Sequence, residues 1–526
     1  MAAIVYQKDR RTGITYAYES VSYWDKEKKQ SRAKRTLIGR VDEETREILP
    51  TRRKKSVNAP PQFTRRRFCG ATYLFDAIGE KTGVTEDLRR CFPKHYKEIL
   101  SIAYYLILED RNPLSRFARW SLTHKHPCGR EISSQQSSDL FASITEEGRE
   151  HFFRLQGKRR EGQEFWAYDT TSISSYSTCL KQVRYGVNKD DEPLPQINLA
   201  LLFGEQSNLP FYYRKLPGNI SDVKTIKSLL FDMDFLGYKK IKLVMDRGFY
   251  SEENINALYG NHLKFLIAAK KSLILVKSEL EKVRQEMHDW RNYSEKHGLY
   301  MYSVPLKWNY SQKRPYKGDV LHENRRLYLH FYYSGDRALD DEKCFNGLLC
   351  ALQQELVSGK RRVEHEKRYA KYFDIKATPK RGIRVTPKQD VIDAVKRNYG
   401  YFVLMSNEVK ESSQAIDIYR NKDLVEKAFG DLKNRLNFNR AHVSSDQSFD
   451  GKLFVEFIAL IYLSYIKKRM QEKGLFKNYS IHKLLDELDL IECCDQQARR
   501  SRMGEVTTKQ SELYEAMEVI SIASLC

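Results

Sequence analysis

The sequence predicts a multidomain α+β/α/β chain built on a five-stranded mixed sheet, preceded by a helical region and interrupted by a long β-rich insertion. Three observations carry that expectation. Five short apolar runs between residues 164 and 270 alternate with two helical segments in the order strand, strand, strand, helix, strand, helix, strand. Two of those strands lead to an aspartate, Asp169 and Asp246. Far downstream, Tyr419, Lys422, Glu426 and Lys433 fall within a stripe about 60° wide on one helix face, opposite an apolar stripe.

Taken in order, residues 1–60 alternate aromatic strands with basic turns, a small basic β-rich region ending in the linker-like Ser56-Val-Asn-Ala-Pro-Pro-Gln-Phe-Thr64. Residues 61–158 are helical, with segments at 71–82, 96–109, 116–122 and 133–145. Short helices joined by polar turns suit a helix-turn-helix-like DNA reader, with Ser133-Ser-Gln-Gln-Ser-Ser138 supplying hydrogen-bonding groups; a plain helical bundle or dimer surface is the alternative. His124-Lys-His-Pro-Cys128 has no second cluster to complete a metal site and reads as a loop.

Residues 159–271 form the first part of the core. Glu164-Phe-Trp-Ala-Tyr-Asp169 reads as a buried strand that ends at Asp169, followed by a meander over 196–204 and 209–216 and a helix over 222–236. Ile241-Lys-Leu-Val-Met-Asp246-Arg-Gly is an apolar strand ending in the second acid, Ser251 caps the next helix, and 264–270 is a further strand. The 180 residues between Asp246 and Glu426 exceed what one strand and one helix need, so residues 272–384 are an insertion. It holds aromatic strands at 300–308 and 326–333 and a basic helix over 341–371. Residues 385–472 complete the core with the Glu426 helix and a long apolar helix over 453–470, and 473–526 form a helical tail suited to dimerisation.

This order of elements matches the ribonuclease H-like fold. The chain resembles DDE transposases of the bacterial insertion-sequence type that carry the YREK signature: a Tyr, a Lys or Arg three residues on, a Glu four further and a Lys seven further. Tyr419, Lys422, Glu426 and Lys433 fill those positions. Tyr168-Asp169-Thr-Thr resembles the first-aspartate motif of that family, and Met245-Asp246-Arg-Gly-Phe-Tyr-Ser251 with Asn254 resembles the second. The resemblance implies that Asp169, Asp246 and Glu426 are catalytic and bind two Mg²⁺ ions, with Mn²⁺ as a substitute. Two such ions about 3.5 to 4 Å apart activate the attacking oxygen and stabilise the leaving one in an in-line displacement at phosphorus. It also implies double-stranded DNA as partner, both terminal inverted repeats and target, held as a homodimer. Tyr419, Lys422 and Lys433 would hold phosphates, Arg247 is a further DNA contact, and Trp290 or Trp308 would stack on a displaced end base, ordinary sheet packing being the competing reading of either Trp.

Composition agrees with a polyanionic partner. Lys plus Arg number 91 against 69 Asp plus Glu, a net charge of +22, with clusters at residues 26–40, 52–67 and 360–371. No run approaches a membrane span and no secretory leader is evident, so a cytoplasmic protein is expected. Nine cysteines without Cys-x-x-Cys spacing argue against zinc and a disulfide framework, and the absence of a Gly-x-x-x-x-Gly-Lys-Ser/Thr loop argues against a nucleotide-driven enzyme. A DNA transposase that cuts and then joins is the expectation; a nuclease of the same fold that only hydrolyses, or a DNA-binding protein that has lost catalysis, are the alternatives.

Overall fold

The computed structural model describes residues 2–26, 28–43, 45–49, 51, 64–109, 112–175, 180–189, 192–313, 318–378, 382–436, 445–496 and 502–525. All of the expected linker except Thr64 lies outside them. The chain divides into two compact units, Met1–Arg65 with Cys494–Ser501, and Arg66–Cys493 with Arg502–Cys526.

The first unit holds an antiparallel sheet of β1 (Ala2–Lys8), β2 (Thr15–Asp25), β3 (Gln30–Val41) and β4 (Ile48–Leu49) in sequential order. Gly13, at φ +73°, supplies the left-handed residue of the first turn. Among the described residues of these strands only Ala17, Ser20 and Gly39 are buried, so the sheet encloses almost no core.

Strand β5 (Thr64–Phe68) leads to six helices of the second unit: α1 (Gly70–Thr82), α2 (Val84–Cys91), α3 (Tyr96–Leu108), α4 (Phe117–Thr123), α5 (Ser134–Ser143) and α6 (Glu146–Lys158). Ser133 caps α5 through a reciprocal bond with Gln136, and Thr145 caps α6, which fixes both helix starts locally. The polar run at 133–138 is thereby partly consumed by capping.

The central element is a nine-stranded sheet. Its first five strands in chain order are β6 (Trp166–Ser174), β7 (Gln196–Gly204), β8 (Pro210–Pro217), β9 (Lys242–Met245) and β10 (Lys264–Ala269). They are ordered β8-β7-β6-β9-β10, with β7 antiparallel to both neighbours and β9 and β10 parallel to β6. The parallel steps require crossovers, supplied by α7 (Asp222–Phe235) and α8 (Glu252–Gly260). All nine residues of β7 are buried, as expected for a strand covered on both faces.

After α9 (Ile274–Met287), residues 272–384 extend this sheet: β11 (Tyr293–Ser294), β12 (Leu299–Lys313) and β13 (Val320–Tyr333) add to its edge, and β13 pairs with the later β16 (Tyr401–Ser406), which pairs with β10. The single basic helix expected over 341–371 is instead two, α10 (Gly335–Val357) and α11 (Glu366–Tyr372); the chain breaks at Gly359, whose φ of +71° no helix accommodates. These helices, the hairpin β14 (Phe373–Thr378) and β15 (Gly382–Pro387), and α12 (Gln389–Lys396) enclose a separate small core around Phe345, Leu352, Tyr369 and Ile392. The chain then forms α13 (Ser412–Asn421), α14 (Asp423–Gly430), a π-helical turn over Asp431–Arg435, α15 (Asp446–Glu472), α16 (Ile481–Asp489) and α17 (Thr508–Ala516). Helix α15, buried from Leu453 to Ile466, packs on α3, α5 and β8. No helix among the described residues is long and apolar enough to cross a membrane.

Candidate active site

Strand β6 does not end at Asp169. It runs five residues further because 170–174 are buried and paired with residues 196–200 of β7, so the acid sits within the sheet. Successive strand residues point to opposite faces. Asp169 therefore shares a face with Leu201 and Tyr213, which meets Phe457 of α15, whereas Thr170 faces α7 and donates its hydroxyl to Asp222 at 2.5 Å. The backbone N–H of Thr170 donates to Asp169 Oδ1 at 2.8 Å. Burial raises the Asp169 pKa, opposed by the charges of Lys189 and Lys422.

Asp246 follows β9 directly and opens a 3-10 turn over Arg247–Phe249. Asn254 fixes that turn: its buried amide donates to Phe249 O at 2.8 Å and to Val223 O, at the start of α7, at 2.9 Å. Burial also acts to raise the Asp246 pKa, but the Tyr419 hydroxyl, donating to Oδ1 at 2.8 Å, the Arg247 N–H and the charges of Lys422 and Arg247 together hold it below the usual carboxylate range. The two aspartates on adjacent parallel strands are thus biased in opposite directions.

Tyr419, Lys422, Glu426 and Lys433 do not share one continuous helix. Tyr419 lies near the end of α13, Lys422 joins α13 to α14, Glu426 is in α14, and Lys433 is half-buried in the π-helical turn, which breaks the 3.6-residue phase. Lys422 keeps right-handed helical angles and stays on the face of Glu426, but that face is covered at residue 422. Lys422 is 2% exposed, its Nζ reaches Glu426 Oε1 at 3.2 Å, and it lies over the Tyr419 ring. Burial acts to lower its pKa, yet Asp169, Asp246 and Glu426 outweigh burial and raise it. One ammonium group thus feels all three predicted acids. Tyr419 and Lys422 are engaged by carboxylates, Asp246 and Glu426 respectively.

Among the described residues, no three His, Cys, Asp or Glu side chains stand close enough to enclose a metal ion. The donor chemistry nonetheless fits a hard divalent cation: the groups gathered around Lys422 are carboxylates, and the Glu426 side chain, 61% exposed, keeps the rotamer freedom to close on an ion.

A cavity of about 750 Å³ opens beside Asp246 and Tyr419. Arg247, Lys270, Lys271, Arg337 and Arg420 line it against only Asp246 and Asp423, giving it a positive field. Arg247 is exposed there. Trp290 is 80% exposed in a 3-10 turn. Trp308 is buried and its indole N–H donates to Asn256 at 2.8 Å, the packing arrangement that competes with stacking on DNA.

Two polar residues at this site carry no sequence signal that marked them. Lys189 lies in the segment between β6 and β7, which has no periodicity, and Asp222 resembles any helix-start acid. Lys189 Nζ is 3.9 Å from Asp169 and 3.2 Å from Asp222.

No curated protein matches this chain. Among solved structures, it is similar to a piggyBac transposase synaptic complex with hairpin DNA seen by cryo-EM, with TM-score 0.36 and 11% identity over 75% of this chain and 70% of that one, a likeness too distant to argue from. The family described as "Transposase DDE domain" matches residues 160–462, an interval that contains β6, β9, α14 and all three acids. That interval is more than half of the chain, and the chain accordingly belongs to the DDE transposase family.

Proposed function

We propose that the protein is a cut-and-paste DNA transposase of the insertion-sequence type with a YREK signature, binding terminal inverted repeats and catalysing strand cleavage and strand transfer. The observation that carries this reading is that two residues of the 419–433 segment join two of the acids, Tyr419 bonding Asp246 and the buried Lys422 pairing with Glu426, beside a basic cavity. The strand order β8-β7-β6-β9-β10, with only β7 reversed, supports a ribonuclease H-like core that carries both aspartates on adjacent strands.

Asp169, Asp246 and Glu426 would hold two divalent ions, Mg²⁺ or Mn²⁺, which supply charge stabilisation for phosphoryl transfer when bound. The chain's own residues do the remaining work. Tyr419 orients Asp246 through its hydrogen bond, and Lys422 balances the carboxylate charge. Arg247, with the other cations of the cavity, draws a phosphodiester backbone toward Asp246, and Lys433 contacts it from the turn after α14. The helical region over 70–158 reads the transposon end. Holding two ends for joining calls for a homodimer on DNA.

The test is strand joining. Purified protein, a pre-cut transposon end with a free 3′-OH, and plasmid DNA in Mg²⁺ or Mn²⁺ are expected to give joined products on a gel. Robust hydrolysis without joining under either ion would replace this reading with that of a nuclease.

A further inference from the structure

Lys189 and Asp222 lie outside the YREK signature and both aspartate motifs, yet they sit against the first acid. The Lys189 ammonium has three donors. Two go to Thr170, its carbonyl oxygen and its hydroxyl oxygen, each at 2.7 Å. The third lies between two carboxylates, Asp222 at 3.2 Å and Asp169 at 3.9 Å. Its backbone is fixed as well, because the Lys189 N–H donates to Ser172 Oγ at 3.2 Å and the neighbouring Asn188 amide donates to Ser174 Oγ at 3.1 Å. The loop is tied along β6, and Lys189 is held in place rather than swept over the surface.

Asp222 is equally well placed. It accepts from the Thr170 hydroxyl at 2.5 Å, and a Cβ at Gly248 would lie 3.3 Å from its Oδ2, so it abuts both the Asp169 strand and the Asp246 turn. A lysine shared between an acid of the metal set and a second acid behind it can give up the first without losing its partner. Cation repulsion supplies the push, since an ion on Asp169 raises the energy of an ammonium 3.9 Å from the same carboxylate.

We propose that Lys189 is a positioning residue of the metal site: its ammonium, shared between Asp222 and Asp169, neutralises part of Asp169 when no ion is bound and is left to Asp222 alone when a divalent cation arrives. The proposal rests on the reading of Asp169 as a metal ligand. In it Lys189 competes with the ion, and Asp222 relieves that competition. Lys422 differs: its ammonium is buried and pairs with Glu426, itself one of the three acids, at 3.2 Å.

The two substitutions therefore have opposite signs. Mn²⁺ binding to the full-length chain without DNA, measured by calorimetry, is expected to tighten about two- to fivefold in Lys189→Met, and to weaken by a similar factor in Asp222→Asn, the range set by a half-exposed ion pair. The double variant should bind like Lys189→Met, because Asp222 acts only through the lysine, and Lys189→Arg should stay near the parent. A purely structural role would weaken binding in both single variants. Unchanged or weaker Mn²⁺ binding in Lys189→Met overturns the proposal, as does a double variant as weak as Asp222→Asn, which would make Asp222 a ligand. Asp169→Asn separates the levels: its loss of Mn²⁺ binding leaves the metal reading intact whatever Lys189 does, whereas parent-like binding in Asp169→Asn removes both.

Discussion

Asp169 and Asp246 are presented by the sheet, whereas Glu426 is presented by a broken helix. Asp169 lies within β6 and Asp246 directly follows the adjacent parallel β9, and each accepts a hydrogen bond, from the neighbouring Thr170 N–H for one and from the Tyr419 hydroxyl of α13 for the other. Glu426 pairs with Lys422 and has a side chain 61% exposed. The difference teaches that two acids are preorganised by a core that cannot shift without unpacking, while the third is left adjustable, as closure on an ion and a DNA strand requires.

The strongest way to break this comparison is to remove the charges one at a time. Asp169→Asn, Asp246→Asn and Glu426→Gln are each expected to lower DNA cleavage by about three orders of magnitude, the equivalent of several kcal/mol of transition-state charge stabilisation, with end binding nearly intact. Gel cleavage assays beside binding isotherms check this. Near-parent cleavage in Glu426→Gln alone would mean that the adjustable acid is not part of the centre.

A smaller effect sharpens the contrast between the two sheet-borne acids. Metal binding needs both carboxylates ionised, so affinity is present at higher pH and lost as pH falls through their pKa values. Asp169 is raised and Asp246 lowered, so Asp169 should set the acid limb in the parent protein. Tyr419→Phe removes a donor that keeps Asp246 low, so Asp246 should join Asp169 in the acid limb of the Mn²⁺ affinity profile and steepen it from one proton toward two. A limb of unchanged steepness would show that the Tyr419 bond does not set the Asp246 charge.

The smallest effect concerns phosphate contacts. Arg247→Ala and Lys433→Ala should each reduce the slope of log DNA affinity against log salt by about one. Lys422→Ala should leave the slope unchanged, since its ammonium faces carboxylates rather than DNA. A slope lowered by the Lys422 change and untouched by the other two would reverse the assignment.

Much of the site was legible in the sequence because its parts are local. Short apolar and aromatic runs separated by cap residues specify strands and helices, their ends marked Asp169 and Asp246, spacing marked the 419–433 segment, and the family resemblance joined the three acids. The strand order and direction were not local. They follow from which apolar faces cover one another, as does the joining of β12 and β13 to the core sheet through β16.

What the residues by themselves determined is therefore most strands and helices around the candidate acids, their chain order, the positive charge and the identity of those acids. Only the tertiary structure decided how far β6 runs past Asp169, that Lys422 is buried on the Glu426 stripe, and that Trp308 is packed rather than displayed. It also decided that Lys189 and Asp222, 33 residues apart with no shared motif, meet beside the first acid. The physical reason is the same throughout. Propensity and periodicity act over a few neighbouring residues, whereas burial and the pairing of buried charges depend on contacts between segments that are distant in the chain.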